Sequence, residues 1–79
     1  MTKIYVKTGC PWCIDSLAYL DKKGIGYEKI VVSGNKAAMQ EMKDLSGQTK
    51  APTMEMEGAV LADFGVEELK PFLAERGLD

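Results

Sequence analysis

The sequence predicts an α/β fold, a four-stranded mixed sheet flanked by three helices in the order β-α-β-α-β-β-α. Three observations carry that expectation. Two strand-like apolar runs in the first half are each followed by a stretch of helical spacing. Near the C-terminal end, two short apolar runs flank Glu57-Gly58, as a hairpin requires. Each helical stretch is apolar on one side only, the pattern of a helix laid on a sheet.

The elements follow in order. Thr2 to Lys7 reads as the first strand, with Ile4 and Val6 alternating against Lys3, Tyr5 and Lys7. Thr8-Gly9 makes a turn, and Pro11 suits the first turn of a helix, where its missing N–H costs nothing. That helix runs to about Lys23. Ile14, Leu17 and Ala18 form its buried face, with Leu20 on the flank and Gly24 as the stop. Tyr27 to Val32 is the second strand. Ser33-Gly34-Asn35 is a turn in which Ser33 or Asn35 caps the next helix. This second helix spans about Lys36 to Leu45, with Ala38, Met39, Met42 and Leu45 at helical spacing and Gly47 after it. Thr53 to Met56 and Ala59 to Ala62 are the hairpin strands. The last helix runs from about Val66 to Arg76 and turns Leu69, Phe72 and Leu73 inward, while Pro71 removes one helical hydrogen bond. Because a helix joins the first two strands, they pair in parallel through a right-handed crossover.

Seventy-nine residues make one domain, residues 1–79, near the lower size limit for an independent core. A hydrophobic content of 46% with 28% charged residues marks a folded chain. The net charge of −2 gives no reason to expect nucleic acid or an anionic membrane as partner. The N-terminal run has no apolar segment of signal-peptide length, and none approaches the ~18 residues of a membrane span. The expected compartment is the reducing cytoplasm, where a C-x-x-C pair is catalytic or metal-binding more often than structural.

The two cysteines stand together in Cys10-Pro11-Trp12-Cys13, between the first strand and the first helix. A closed zinc site needs about four Cys or His ligands. With two cysteines and no histidine the chain does not complete one alone, which leaves a metal or cluster shared between two chains. As a staple the pair would close a two-residue loop and constrain the unfolded chain little. Redox chemistry fits the placement better. Unpaired N–H groups and the positive end of the helix dipole beside Cys10 favour thiolate, the form that attacks a disulfide. Cys13, one turn further in, is within reach to resolve a mixed disulfide on Cys10.

Three stretches carry a family resemblance across nearly the whole chain. They are Thr8-Gly9-Cys10-Pro11-Trp12-Cys13 after the first strand, Ala51-Pro52-Thr53 before the third, and Phe64-Gly65-Val66-Glu67-Glu68-Leu69 at the start of the last helix. On these the chain resembles the glutaredoxin branch of the thioredoxin fold. The resemblance implies that Pro52 is cis, lies beside the nucleophile and aims the Ala51 backbone at an extended peptide or at glutathione. Without the cysteines, Pro52 would read as a strand-entry proline. Lys7 matches a lysine common three residues before the first cysteine. It is either a cation for the thiolate and a glutathione carboxylate, or a solvated strand-end lysine. Trp12 stands where glutaredoxins often have an aromatic, as a partner contact or as helix-start packing.

Two comparisons within the fold narrow the resemblance. Thioredoxins keep a buried aspartate in the first strand where this chain has Ile4, and Gly-Pro where it has Pro-Trp. Glutathione-using glutaredoxins open the last helix with Gly-Gly and a nearby acidic residue, and the helix N-terminus receives a glutathione carboxylate. Here that region is Phe64-Gly65 with Val66 and with Glu67 or Glu68 as the acidic residue, and the bulk of Phe64 is expected to obstruct close approach. Leu20 to Tyr27, Gln48 to Pro52 and Ala62-Asp63-Phe64 are similar to NrdH-redoxins, although those usually carry glutamine inside the C-x-x-C.

The resemblance implies a cytoplasmic, monomeric dithiol–disulfide oxidoreductase that reduces protein or glutathione-mixed disulfides. Cys10 attacks and Cys13 resolves, supported by Lys7, Pro11, Trp12 and Pro52. Glutathione or a partner would lie against Lys7, Trp12, Ala51, Pro52, Phe64, Gly65, Val66 and Glu67. No bound organic cofactor or metal is implied, and electrons return from glutathione or thioredoxin reductase. Two alternatives remain at this stage. One is an NrdH-like electron donor to ribonucleotide reductase. The other is an iron–sulfur carrier using Cys10 of two chains and two glutathiones.

Overall fold

β1 (Thr2–Val6) is the strand around which the rest is built. In this computed structural model, which describes residues 2–79, β1 pairs in parallel with β2 (Glu28–Val31) and antiparallel with β3 (Thr53–Met56). β4 (Ala59–Ala62) pairs back on β3, giving the sheet order β2-β1-β3-β4. The helices are α1 (Pro11–Lys22), α2 (Lys36–Ser46) and α3 (Val66–Ala74). The element order is the expected β-α-β-α-β-β-α.

Successive side chains of β1 feed two separate cores, because neighbours on a strand point to opposite faces. Ile4 and Val6 join Cys13, Leu20, Met54, Met56, Phe64, Leu69 and Leu73 in the core formed with α1 and α3. Tyr5 joins Val32, Ala38 and Met42 under α2. The alternation expected for β1 is therefore corrected at Tyr5, which is 1% exposed. A ring long enough to cross the α2 layer keeps its polar end satisfied, since the Tyr5 hydroxyl donates to Glu41.

The buried face of α1 also differs from the expected one. Ile14 is 61% exposed and Ala18 is exposed, whereas Cys13, Ser16 and Leu20 are buried and Leu17 is half-buried. Positions 13, 16, 17 and 20 form an i, i+3, i+4, i+7 stripe whose first two members carry a thiol and a hydroxyl. A reading that counts only aliphatic side chains rotates the stripe by one residue.

The local signals of the other elements are met. Asn35 caps α2, its Oδ1 accepting the Ala38 N–H at 3.0 Å, and Gly47 ends it at φ 75°. Ser33 does something else: its Oγ accepts the Thr8 N–H at 3.0 Å and ties the turn after β2 to the loop before Cys10. Glu57 and Gly58 take φ of 51° and 82°, the double left-handed geometry of a tight hairpin turn. β2 is one residue shorter at each end than expected, and α3 ends at Ala74, not Arg76. Leu69 and Leu73 are buried; Phe72 is half-buried with the Arg76 guanidinium 3.7 Å from its ring centre.

Candidate active site

Strand register gathers the site. Tyr5 pairs with Thr53 and Thr53 with Ala62, so the end of β1, the start of β3 and the end of β4 lie at one end of the sheet. The segments leaving that end are those that carry Cys10, Ala51-Pro52 and Phe64-Gly65. Residues far apart in sequence thus meet because a central strand and an antiparallel hairpin share a register.

Cys10 is the N-cap of α1 and adopts an extended backbone at φ −91°, ψ 110°. Its Sγ accepts the Cys13 N–H at 3.2 Å and its carbonyl accepts the Ile14 N–H at 3.1 Å. A sulfur therefore takes one of the helix-start donors that a hydroxyl or carboxylate usually takes. Both cysteines are free thiols; Cys10 is half-buried and Cys13 is 2% exposed. Burial, and then the hydrogen bond with Cys10, pushes the Cys13 thiol up to about 11. A backbone hydrogen bond from Lys7 and the Lys7 charge act the other way.

The Ala51–Pro52 peptide is cis, Pro52 is buried, and Ala51 packs on the same core cluster as Cys10. The approach to Pro52 is braced from both sides. Thr53 Oγ1 donates to the Lys50 carbonyl at 2.8 Å and accepts from Gln48 Nε2 at 3.0 Å, while Gln48 Oε1 accepts the Lys50 N–H. Both backbone groups of Lys50 are thus held by the side chains of Gln48 and Thr53.

A cleft of about 450 Å³ opens between the starts of α1 and α3, lined by Trp12, Asp15, Gly65, Val66, Glu67 and Glu68. Trp12 is 54% exposed. At the α3 end, the Gly65 N–H donates to Glu68 Oε1 at 2.8 Å. The helix starts stand close: a Cβ on Gly65 would lie 3.9 Å from Trp12 Cδ2.

Of the expected site residues, the structure brings Trp12, Gly65, Val66 and Glu67 into the cleft, beside the turn that holds Cys10 and Cys13. Pro11 is exposed at the first helical position, and Lys7 is half-buried and interacts with Cys13 through its backbone and its charge. Phe64 is a correction. Its ring is 0% exposed and belongs to the core, so it neither contacts a partner nor obstructs one. Asp63 takes a left-handed φ of 52°, reversing the chain just before Phe64, and the ring turns inward. Asp15 was missed; Glu68, expected with Glu67 as the acidic residue of this helix start, lines the cleft too. Glu68 stands three residues after the cap, the spacing of a capping-box glutamate, and Asp15 is one turn from Trp12 on α1.

Among the described residues, no group of three or more His, Cys, Asp or Glu side chains is arranged to hold a metal. No described helix is long and apolar enough to cross a membrane.

This sheet, with a C-x-x-C at the start of its first helix and a cis proline ahead of β3, defines a thiol–disulfide oxidoreductase of the thioredoxin superfamily. Within that class, the glutaredoxin family model matches residues 2–61, and the chain belongs to the glutaredoxin family. It is 32% identical over 77 residues to glutaredoxin 3 of Escherichia coli, covering 98% of this chain and 90% of that protein. It is also 32% identical over 69 residues to an uncharacterized glutaredoxin-like 8.6 kDa protein in the rubredoxin operon of Clostridium pasteurianum, covering 87% and 92% of the two chains. Among solved structures, the thioredoxin-like protein BC3987 superposes with a TM-score of 0.82 at 26% identity, over 92% of this chain and all of that one. A glutaredoxin from Archaeoglobus fulgidus shares the fold at a TM-score of 0.79 and 21% identity, over 91% and 84% of the chains.

Proposed function

We propose that Cys10 and Cys13 are the working dithiol of this oxidoreductase and that it reduces protein disulfides or glutathione-mixed disulfides. The observation that carries the reading is their asymmetry. One sulfur is half-buried at a helix cap; the other is buried behind it and holds its proton to about pH 11.

In the first step the Cys10 thiolate attacks one sulfur of the substrate disulfide. A Cys10–substrate bond forms, and the other substrate sulfur leaves as a thiolate that takes up a proton. Cys13 then gives up its proton and attacks Cys10 Sγ. The Cys10–Cys13 bond forms as the second substrate sulfur leaves and is protonated. Two electrons pass from the dithiol to the substrate. The resolving step follows the first through its electrostatics. Both the hydrogen bond and the charge interaction that raise Cys13 come from Cys10, and both weaken once Cys10 is bonded to substrate. The Lys7 contributions, which favour the Cys13 thiolate, remain.

The reaction so written needs no bound cofactor or metal and one chain suffices, so we read the protein as a monomer acting in a reducing, cytoplasmic setting. Oxidised dithiol is returned to the reduced state by glutathione or by a thioredoxin reductase flavoprotein. Incubation of oxidised protein with each donor system, followed through its nicotinamide consumption, identifies which one serves. The dithiol roles are tested by Cys13→Ser, which should accumulate a mixed disulfide on Cys10, and by Cys10→Ser, which should abolish disulfide reduction. A Cys10→Ser protein that still reduces disulfides would refute the assignment.

A further inference from the structure

To resolve a mixed disulfide, Cys13 must become a thiolate where burial opposes charge. Its side chain is 2% exposed, and no Asp or Glu among the described residues is buried with it. The titratable groups that act on it are Cys10 and Lys7. Tyr19 and Tyr27 pack on the same core cluster, but their hydroxyls are engaged with Asp79 and Asp21. Two polar side chains lie in the interior, Ser16 and Thr53. Thr53 both donates and accepts ahead of β3. Ser16 Oγ bonds to no group, neither sulfur included. It is the one buried side-chain oxygen or nitrogen without a partner among the described residues.

A buried donor left unmade disfavours the fold, and alanine would present the same Cβ without it. The position of Ser16 gives that donor a use. It follows Cys13 by three residues on the buried stripe of α1. At this spacing Cβ atoms lie roughly 5–6 Å apart, and helical side chains lean toward the N-terminus. Ser16 therefore overhangs the turn that carries Cys13. A rotation about its Cα–Cβ bond swings the hydroxyl toward the sulfur and breaks no hydrogen bond.

We propose that Ser16 serves the resolving step: its hydroxyl donates a hydrogen bond to Cys13 Sγ as the thiolate forms, and so speeds the attack on Cys10. The proposal rests on the reading of Cys10 and Cys13 as the working dithiol. The Cys13–Cys10 bond forms and the Cys10–substrate bond breaks. The electron pair leaves with the substrate sulfur, which takes up a proton in place of the one Cys13 released. Ser16 keeps its own proton throughout. A hydrogen bond to the anion favours the anion and offsets the penalty of burial. The neutral thiol is only a weak acceptor, so the hydroxyl stands unbonded while Cys13 is protonated.

The test is a single turnover of pre-reduced protein with a cysteine peptide capped as its pyridyl disulfide. Attack by Cys10 on the peptide sulfur releases thiopyridone, read by absorbance. Attack by Cys13 then releases the peptide thiol, read by mass spectrometry after acid quench. Ser16→Ala should leave the first rate unchanged and slow the second about threefold near neutral pH. That figure follows from a thiolate population about tenfold smaller, partly offset by the greater nucleophilicity of a more basic sulfur. In a Cys10→Ala background, NMR of the Cys13 Cβ should place thiolate formation about one pH unit higher when Ser16 is also alanine. An unchanged second rate, or coincident titrations, would overturn the proposal and leave the dithiol reading standing. Equal slowing of both steps would reduce Ser16 to packing and overturn it as well. Failure of the unaltered protein to release either thiopyridone or peptide thiol would remove the dithiol reading, and the proposal with it.

Discussion

The backbone N–H of Cys13 donates to the sulfur of Cys10 at 3.2 Å, so the two cysteines are joined by a helix cap before any disulfide links them. The cap places Cys10 Sγ at the positive end of α1 while Cys13 stays 2% exposed. Iodoacetamide at neutral pH should therefore modify Cys10 alone, and mass mapping of the alkylated peptide checks it. Primary labelling at Cys13 would reverse the assignment.

The pH dependence of stability has a defined sign. An unfolded cysteine titrates near ~8.5, whereas the folded Cys13 holds its proton to about 11. Between those values the native state binds more protons, so stability falls as pH rises through the window. Tyr5, raised by burial and then by its bond to Glu41, adds to the loss above its ordinary range. Urea midpoints of the reduced protein should drop between about pH 9 and 11, and the drop should be shallower in Cys13→Ala.

Ser16 lies on the buried face of α1, 0% exposed, and its hydroxyl has no hydrogen-bond partner among the described residues. A buried hydroxyl left unmade costs about 1–3 kcal/mol. Ser16→Ala removes the oxygen and keeps the Cβ, and it should stabilise the fold by about 1 kcal/mol in urea denaturation. A destabilised variant would show that the hydroxyl is satisfied in solution.

Phe64 fills the core between β4 and α3. Phe64→Ala should cost about 3–5 kcal/mol of stability, the range for emptying a buried aromatic site. Thermal and urea unfolding measure this directly. A faster reaction with glutathione at unchanged stability would restore the ring to the ligand site.

Thr53→Val tests the brace before Pro52. The substitution keeps the shape but leaves the Lys50 carbonyl and the Gln48 amide without their Thr53 partner. Stability should fall by about 1–3 kcal/mol. Single-turnover reduction of a peptide disulfide should slow alongside it, since the cis-proline segment, whose Ala51 packs on the same core cluster as Cys10, loses its support. Unchanged rates at lowered stability would confine the brace to a structural role.

The parts of the molecule legible in sequence were those governed by neighbours along the chain. Glu57-Gly58 announces its turn because a tight hairpin needs left-handed residues, and Asn35 announces its helix because its side chain reaches only a few positions. The dithiol was legible for the same reason, with both sulfurs on one turn of α1. Phe64 was misread because it stands where the resemblance puts a glycine; the side chain's direction depends on the reversal at Asp63 and on space left by the core. Tyr5 looked solvent-facing because its second cover, α2, arrives more than thirty residues later. Asp15 acquires meaning only once α1 and α3 stand side by side.

The register that brings Cys10, Pro52 and Gly65 to one end of the sheet sends the β3–β4 turn to the other, since Thr2 pairs with Met56 and Met56 with Ala59. Glu57 and Gly58 are exposed there, at the pole opposite the chemistry. A fluorophore, a surface tether or a fused domain joined at that turn would leave the face that meets a substrate open. The protein could then be immobilised as an oriented redox layer, every dithiol pointing into solution.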